Sequence, residues 1–392
     1  MAITNKKIIL FTSLYPNNLL KDVGIFNYSR VKALRKLNID VQIIAPIGLT
    51  PPRFELKKVM KNLYYNFTKI SPVEVLDGIK IYHPKWLRLN RTLFWKYEAL
   101  LLWIFSGRII KKIILSYKPD IIIGSWLNPY GVYAKFIKKY YSKPIVCYAE
   151  GSDVLILPDL YKKQWCIIEN DINKYLDNVI LISNYMNDFV KEKRNLSSSI
   201  LVEDGYDEDN FYFSDSSKII KGRIVTVGSL IKIKGHDILI RALKLIKSEV
   251  ELVIIGDGGE KSNLEELCRS LNLSDKVMFK GFVDHSLLKD YIDTCQVFCM
   301  PSRNDAQPAS ALEGLACGRP LVASYVDGLK DLVVNDVNGY HFYDLSEKDL
   351  ANKLEMALMK AWHYEKIAIE TKTNYGWLKS MKILLDRINY EF

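Results

Sequence analysis

Two carboxylates eight positions apart, Asp305 and Glu313, stand in the stretch CMPSRNDAQPASALEGLACGRPLVASYVDG, residues 299–328. The apolar run ahead of them, 297–300, reads as a strand that breaks at Pro301-Ser302. A polar loop leads on to Pro308, a residue favoured in the first helical turn because its missing N–H would be an orphan there. Ala309, Ser310 and Ala311 are small enough to let a ligand reach the free N–H groups of that turn. Such groups, with the positive end of the helix dipole behind them, attract phosphate. At about 3.6 residues per turn, Glu313 falls roughly one and a half turns into the helix. A carboxylate near a phosphate is electrostatically wasteful unless it accepts hydrogen bonds, and sugar hydroxyls supply them. The chemistry implied is a nucleotide-sugar pocket.

Positioning these groups requires strands and helices in alternation, and the chain reads that way twice. Residues 7–14, 40–45, 120–124, 144–149 and 177–183 are short apolar runs of the buried parallel-strand type, with a helix expected over 25–37. A second series begins at 223–227 and continues at 251–256 and 276–283. The 392 residues, 49% hydrophobic, suffice for two domains with their own cores. The fold class expected is α/β, two Rossmann-like domains facing across a cleft. No GxGxxG follows the first strand, which disfavours a nicotinamide or flavin oxidoreductase.

The residues Pro301-Ser302, Asp305, Glu313-Gly314, Ala316-Cys317-Gly318, Pro320 and Val322-Ala323-Ser324 resemble the signature of the family 4 retaining glycosyltransferases, which have the GT-B fold. The resemblance implies that Glu313 accepts hydrogen bonds from ribose hydroxyls and Asp305 from the transferred sugar. It implies that Lys234, in the family's G-R-L-x-x-x-K-G position, clamps the diphosphate with the N–H groups at Ala309, Ser310 and Ala311. Ser229 stands where the family has arginine, and Lys232 compensates only if it turns inward. Gly281, Phe282 and Val283 match the segment that holds the nucleotide base, and Gly24 matches a glycine where backbone approaches donor or acceptor. Glu150, before Gly151-Ser152-Asp153, takes a place where the family often has histidine or another polar residue, and could bind a sugar hydroxyl or serve as a base toward the acceptor. Ser152 and Asp153 read as helix caps, and His285 as the start of a helix. The resemblance further implies a last helix, 374–392, that crosses back to the first domain. The expected division is therefore 1–205 with 374–392 on the acceptor side, and 206–373 holding the donor.

A net charge of +10 calls for an anionic partner. No nucleic-acid motif appears. Lysines and arginines from Lys57 to Lys118 are interleaved with aromatics such as Tyr64, Trp86, Trp103 and Phe105, a mixture suited to anionic lipid headgroups. Residues 99–105 alone read instead as a buried helix face. Six cysteines without a CxxC pair and five histidines offer no zinc site. No signal peptide or spanning run is evident, so a cytoplasmic protein, at most peripheral to the inner face of the membrane, is expected. The function expected is metal- and cofactor-independent transfer from a nucleoside diphosphate sugar, with uracil the base that family usage suggests, to a glycan or lipid-linked acceptor in cell-surface polysaccharide synthesis. A degenerate nucleotide-sugar-binding subunit and a GT-B-like epimerase are the alternatives.

Overall fold

The computed structural model describes residues 6–20, 23–49, 69–89, 94–305 and 309–388. Lys57, Lys58, Lys61, Tyr64, Tyr65, Phe67, Arg91 and Pro308 lie outside these. The chain forms two compact units, Met1–Glu203 with Met381–Phe392, and Asp204–Ser380.

Among the described residues, ten strands belong to the first unit: β1 (Lys7–Phe11), β2 (Asp40–Ile44), β3 (Ile47–Leu49), β4 (Val73–Leu76), β5 (Ile79–Tyr82), β6 (Lys85–Leu87), β7 (Ile121–Ser125), β8 (Ile145–Ala149), β9 (Asn178–Leu181) and β10 (Ser199–Leu201). Eight make one sheet in the order β10-β9-β8-β7-β1-β2-β5-β4, while β3 and β6 pair separately. Among the described residues, β4 alone runs antiparallel in the large sheet. Its central strands are buried on both faces, as their Ile- and Val-rich runs require. The connections leave β1 toward β2 on one side and β7 on the other, so the strand order switches direction between β1 and β7. Helix α1 (Ile25–Lys36) follows β1. Gly24 before it has φ 71°, and a Cβ there would lie 2.2 Å from the Leu14 carbonyl oxygen. The chain's own backbone thus demands glycine at this position.

Helix α2 (Glu98–Tyr117) departs from the sequence expectation. Ala99 and Leu102 are buried, but Trp103, Ile104 and Phe105 are 42, 58 and 51% exposed. The run is therefore not one buried face: at 3.6 residues per turn, seven consecutive apolar residues necessarily reach the solvent side. Among the described residues, no helix is long and apolar enough to cross a membrane.

Among the described residues, the second unit holds six strands, β11 (Arg223–Val227), β12 (Glu251–Ile255), β13 (Val277–Gly281), β14 (Val297–Met300), β15 (Leu321–Ser324) and β16 (Gly339–Phe342). They form a parallel sheet in the order β13-β12-β11-β14-β15-β16, with the switch between β11 and β14. Helix α3 (His236–Leu243) follows β11 and α4 (Ala309–Ala316) follows β14. Helix α5 (Trp377–Arg387) begins in the second unit and ends in the first. Residues 204–205 and 374–380 group with the second unit rather than the first.

Candidate functional site

Ligands of open α/β sheets bind beyond the carboxyl ends of the strands at the switch point. In the second unit that place is made by the loops after β11 and β14, which are locked together. Gly235 has φ 69°, and a Cβ there would lie 1.9 Å from the Pro301 carbonyl oxygen. The Arg303 amide donates to Ile233 O at 2.7 Å, and the Arg303 guanidinium grips both oxygens of Asp237 at 2.7 Å each.

On this platform Lys234 and Asp305 meet, Nζ donating to Oδ2 at 2.5 Å. Ser302 Oγ donates to the same oxygen at 3.3 Å. The Asp305 backbone is also held, its N–H donating to Asp327 Oδ2 at 3.1 Å and its carbonyl accepting from Gly328 N–H at 2.9 Å. Lys234 and Asp305, read separately as a phosphate clamp and a sugar acceptor, are thus one ion pair, with side chains 24 and 11% exposed. Helix α4 starts four residues beyond. Ser310 Oγ donates to Val227 O at 3.1 Å and fastens the helix start to the end of β11. Ala309 is exposed and Ala311 buried.

Glu313 is buried on α4, and its Oε1 lies 2.8 Å from His285 Nε2. His285 does begin a short helical turn, His285–Leu287, capped by Asp284. Its contact with Glu313 gives it a further part. Burial works to lower the His285 pKa, but the hydrogen bond and charge of Glu313, with Asp207 and Asp284 adding, hold it above the ordinary value. Gly281 ends β13 at φ 70°, with nothing within 4 Å of a Cβ. Phe282 beside it is 68% exposed and Val283 half-buried. Ser229 and Lys232 are exposed. His236, at the first position of α3, is buried, and burial pushes its pKa down to about 4, so the ring is neutral at pH 7.

A paired cation, a helix start and a buried carboxylate around one strand edge suit a phosphorylated sugar. Residues 214–373 match the family model described as glycosyl transferases group 1. Over its length the chain is 24% identical to a Bacillus subtilis (strain 168) protein named as the teichuronic acid biosynthesis glycosyltransferase TuaC, covering 91% of this chain and 89% of that one. The chain thus resembles group 1 glycosyltransferases, with the family likeness carried by 214–373. Its fold is that of GT-B enzymes: sucrose-phosphate synthase from Thermosynechococcus elongatus superposes with TM-score 0.76 at 17% identity over 98% of both chains. HepE of Anabaena, solved with UDP and glucose, gives TM-score 0.72 at 16% identity over 99% of this chain and 100% of that one.

In the first unit, Glu150 stands at the end of β8 and is fully engaged. Arg30 Nη1 donates to its Oε1 at 2.7 Å and Nη2 to Oε2 at 3.3 Å, while Ser125 Oγ donates to Oε1 at 2.6 Å. The Arg30 guanidinium lies 3.8 Å from the Tyr148 ring centre, and its Nη1 also donates to Asn27 Oδ1 at 3.0 Å. Arg30 is 1% exposed. Glu150 is thereby tied into a buried network joining α1, β7 and β8. Ser152 and Asp153 do not cap a helix: Gly151 holds the cap position without a side-chain bond. Asp153 is buried and accepts the Leu127 N–H at 3.0 Å, pinning the loop after β7. Burial raises its pKa to about 7.

Proposed function

We propose that the protein moves a sugar, with retention of configuration, from a nucleoside diphosphate sugar to a glycan or lipid-linked acceptor of a cell-surface polysaccharide. The observation that carries the reading is the Lys234–Asp305 pair at the β11/β14 switch point, four residues ahead of α4. An ammonium has three donors; with one on Asp305, the others can meet phosphate oxygens. The leaving diphosphate then gathers charge against Lys234 and the N–H groups of Ala309, Ser310 and Ala311, the kind of preorganised stabilisation that lowers barriers most. Those groups take the part that a divalent metal would play, and no metal enters the proposal. Asp305, already neutralised by Lys234, serves as a hydrogen-bond acceptor for a sugar hydroxyl rather than as a nucleophile. The leaving phosphate itself takes the acceptor's proton on the same face. Glu313, aligned by His285, accepts from the ribose, and the Gly281–Val283 segment lies against the base. UDP is the donor nucleotide we favour, because HepE was solved with it. Work at the inner face of the membrane fits a lipid-linked acceptor and the cationic, apolar outside of α2. The transferase relatives give the epimerase and inactive-subunit readings no support.

Donor hydrolysis tests the proposal. Incubated without acceptor, the protein should slowly release nucleoside diphosphate from at least one UDP-sugar. Lys234→Ala should reduce this by about a hundredfold, the scale of losing one transition-state donor, and Glu313→Ala should weaken UDP binding. Neither binding nor release with any of the UDP-, GDP-, ADP- or dTDP-sugars would remove the proposal.

A further inference from the structure

The strands of the second unit are parallel, so their carboxyl ends share one edge. Along that edge the segment read as base-binding ends β13, and the Lys234–Asp305 pair stands after β11 and β14. Two further steps of roughly 5 Å each lead to the ends of β15 and β16, on the side away from the base. Tyr325 follows β15 directly and Tyr343 follows β16 directly. Their ring centres are 5.0 Å apart with the planes at 41°, and the two residues are 46 and 44% exposed.

This pair is fixed in place and fixed to the donor groups. The Tyr325 N–H donates to Phe342 O at 2.9 Å, and the buried His341 packs T-shaped against the Tyr325 ring at 5.0 Å. The Tyr343 N–H donates to Asp349 Oδ2 at 2.8 Å. Lys330 Nζ lies 5.2 Å from the Tyr325 ring centre. The loop between Tyr325 and Lys330 carries Asp327, whose Oδ2 accepts the Asp305 N–H at 3.1 Å. Just ahead of it, Ser324 Oγ donates to Ser302 O at 2.5 Å. Strained backbone gathers beside the tyrosines: Asp327, Asp344 and Leu345 have φ of 42°, 54° and 50°. Such conformations persist where the surroundings over-determine them, and they cluster at ligand clamps.

The surface so held is apolar in the middle and polar at the rim. Among the described residues, no protein group hydrogen-bonds either tyrosine hydroxyl, and no carboxylate pairs with the exposed Lys330. A hydrocarbon chain laid here would strip water from two hydroxyls and an ammonium and return no hydrogen bond. A free phosphate would meet the ammonium and leave both rings uncovered. A nucleobase belongs at the far end of the edge, by β13. A sugar ring matches every part: its C–H faces lie on the aromatic rings, and its hydroxyls meet the phenols and the ammonium.

We propose that Tyr325, Tyr343 and Lys330 hold a sugar ring of the acceptor glycan, set back from the ring that reacts. The inference rests on the transferase reading above. The donor ends with its sugar at Asp305, so a ring beyond Asp305 on the side away from the base belongs to the other substrate. The acceptor is thereby an oligosaccharide, free or lipid-linked, rather than a single sugar or a lipid phosphate.

Saturation-transfer NMR on the full-length protein tests it, with methyl glucosides, methyl galactosides and methyl N-acetylglucosaminides as probes beside UDP. At least one glycoside should bind wild type. Tyr325→Ala with Tyr343→Ala should weaken that glycoside at least tenfold. Tyr325→Phe with Tyr343→Phe keeps both rings and should weaken it only about threefold. UDP titration of both double variants shows whether the unit has kept its fold. The proposal fails if no glycoside binds at about 50 mM, if the alanine pair binds the glycoside as wild type does, or if the phenylalanine pair loses as much as the alanine pair. It fails too if wild type sediments as a dimer and the alanine pair as a monomer, since the tyrosines would then be a self-association face. A protein that binds UDP but no glycoside loses this proposal and keeps the transferase reading. One that binds a glycoside through the tyrosines but no nucleotide keeps the sugar site and loses the donor site.

Discussion

Glu313 and His285 differ in how visible they are in the chain. Glu313 stands in a dense local pattern, with Gly314 and Ala316-Cys317-Gly318 behind it, whereas its partner is 28 residues away on another element. Pairwise contacts of that kind leave no spacing to read. Arg30 is hidden in the same way, 120 residues from the Glu150 it grips. The His285 pair carries a pH signature. An unpaired histidine titrates near 6.5, and His285 is held above that in the fold. The folded state therefore binds the proton more tightly than the unfolded chain does. The pair's stabilisation is whole below about pH 6.5 and fades as pH rises through the raised folded value. The melting temperature of wild type should exceed that of His285→Gln by most near pH 6, with the gap narrowing toward pH 9. A gap independent of pH would mean that His285 acts only by packing.

At the scale of elements, the long apolar runs announced themselves as parallel strands, and alternation with helices fixed two Rossmann-like series. The short pieces β3 and β6, three residues each, carry too little pattern to register. The loop after β14 was recognisable as a ligand loop, but not its fusion to the loop after β11, which depends on two backbones touching. Gly235 is where they touch. Gly235→Ala sets a side chain at φ 69° and 1.9 Å from Pro301 O, so one loop must move. A cost above about 2 kcal/mol is expected, together with at least a tenfold loss of UDP affinity. Gly259→Ala is the matched control, since nothing lies within 4 Å of its Cβ, and it should stay within about 0.5 kcal/mol of wild type. Equal behaviour of the two variants in calorimetry and UDP titration would show that the junction does not hold the site.

For the whole molecule, a net charge of +10 includes three cations grouped on α2. Its solvent side exposes Trp103, Ile104, Phe105, Ile109 and Leu115 among the exposed cations Arg108, Lys111 and Lys112. Scattered apolar side chains on a surface mean little, but five on one helix beside three cations form a patch that water solvates poorly and an anionic bilayer would solvate well. Each cation near such a surface contributes about 1 kcal/mol, and that share is screened as the Debye length falls from about 10 Å at 0.1 M salt to 3 Å at 1 M. Binding to phosphatidylglycerol vesicles should therefore weaken steeply with salt yet keep a residue from the apolar contacts. Ile104→Ser with Phe105→Ser should remove that residue while leaving the low-salt electrostatic attraction, because both side chains point outward and neither carries charge. Lys111→Gln with Lys112→Gln should do the reverse. Were the two pairs to lose vesicle binding in the same proportion at every salt concentration, or wild type to ignore the vesicles at low salt, α2 would not be the membrane contact.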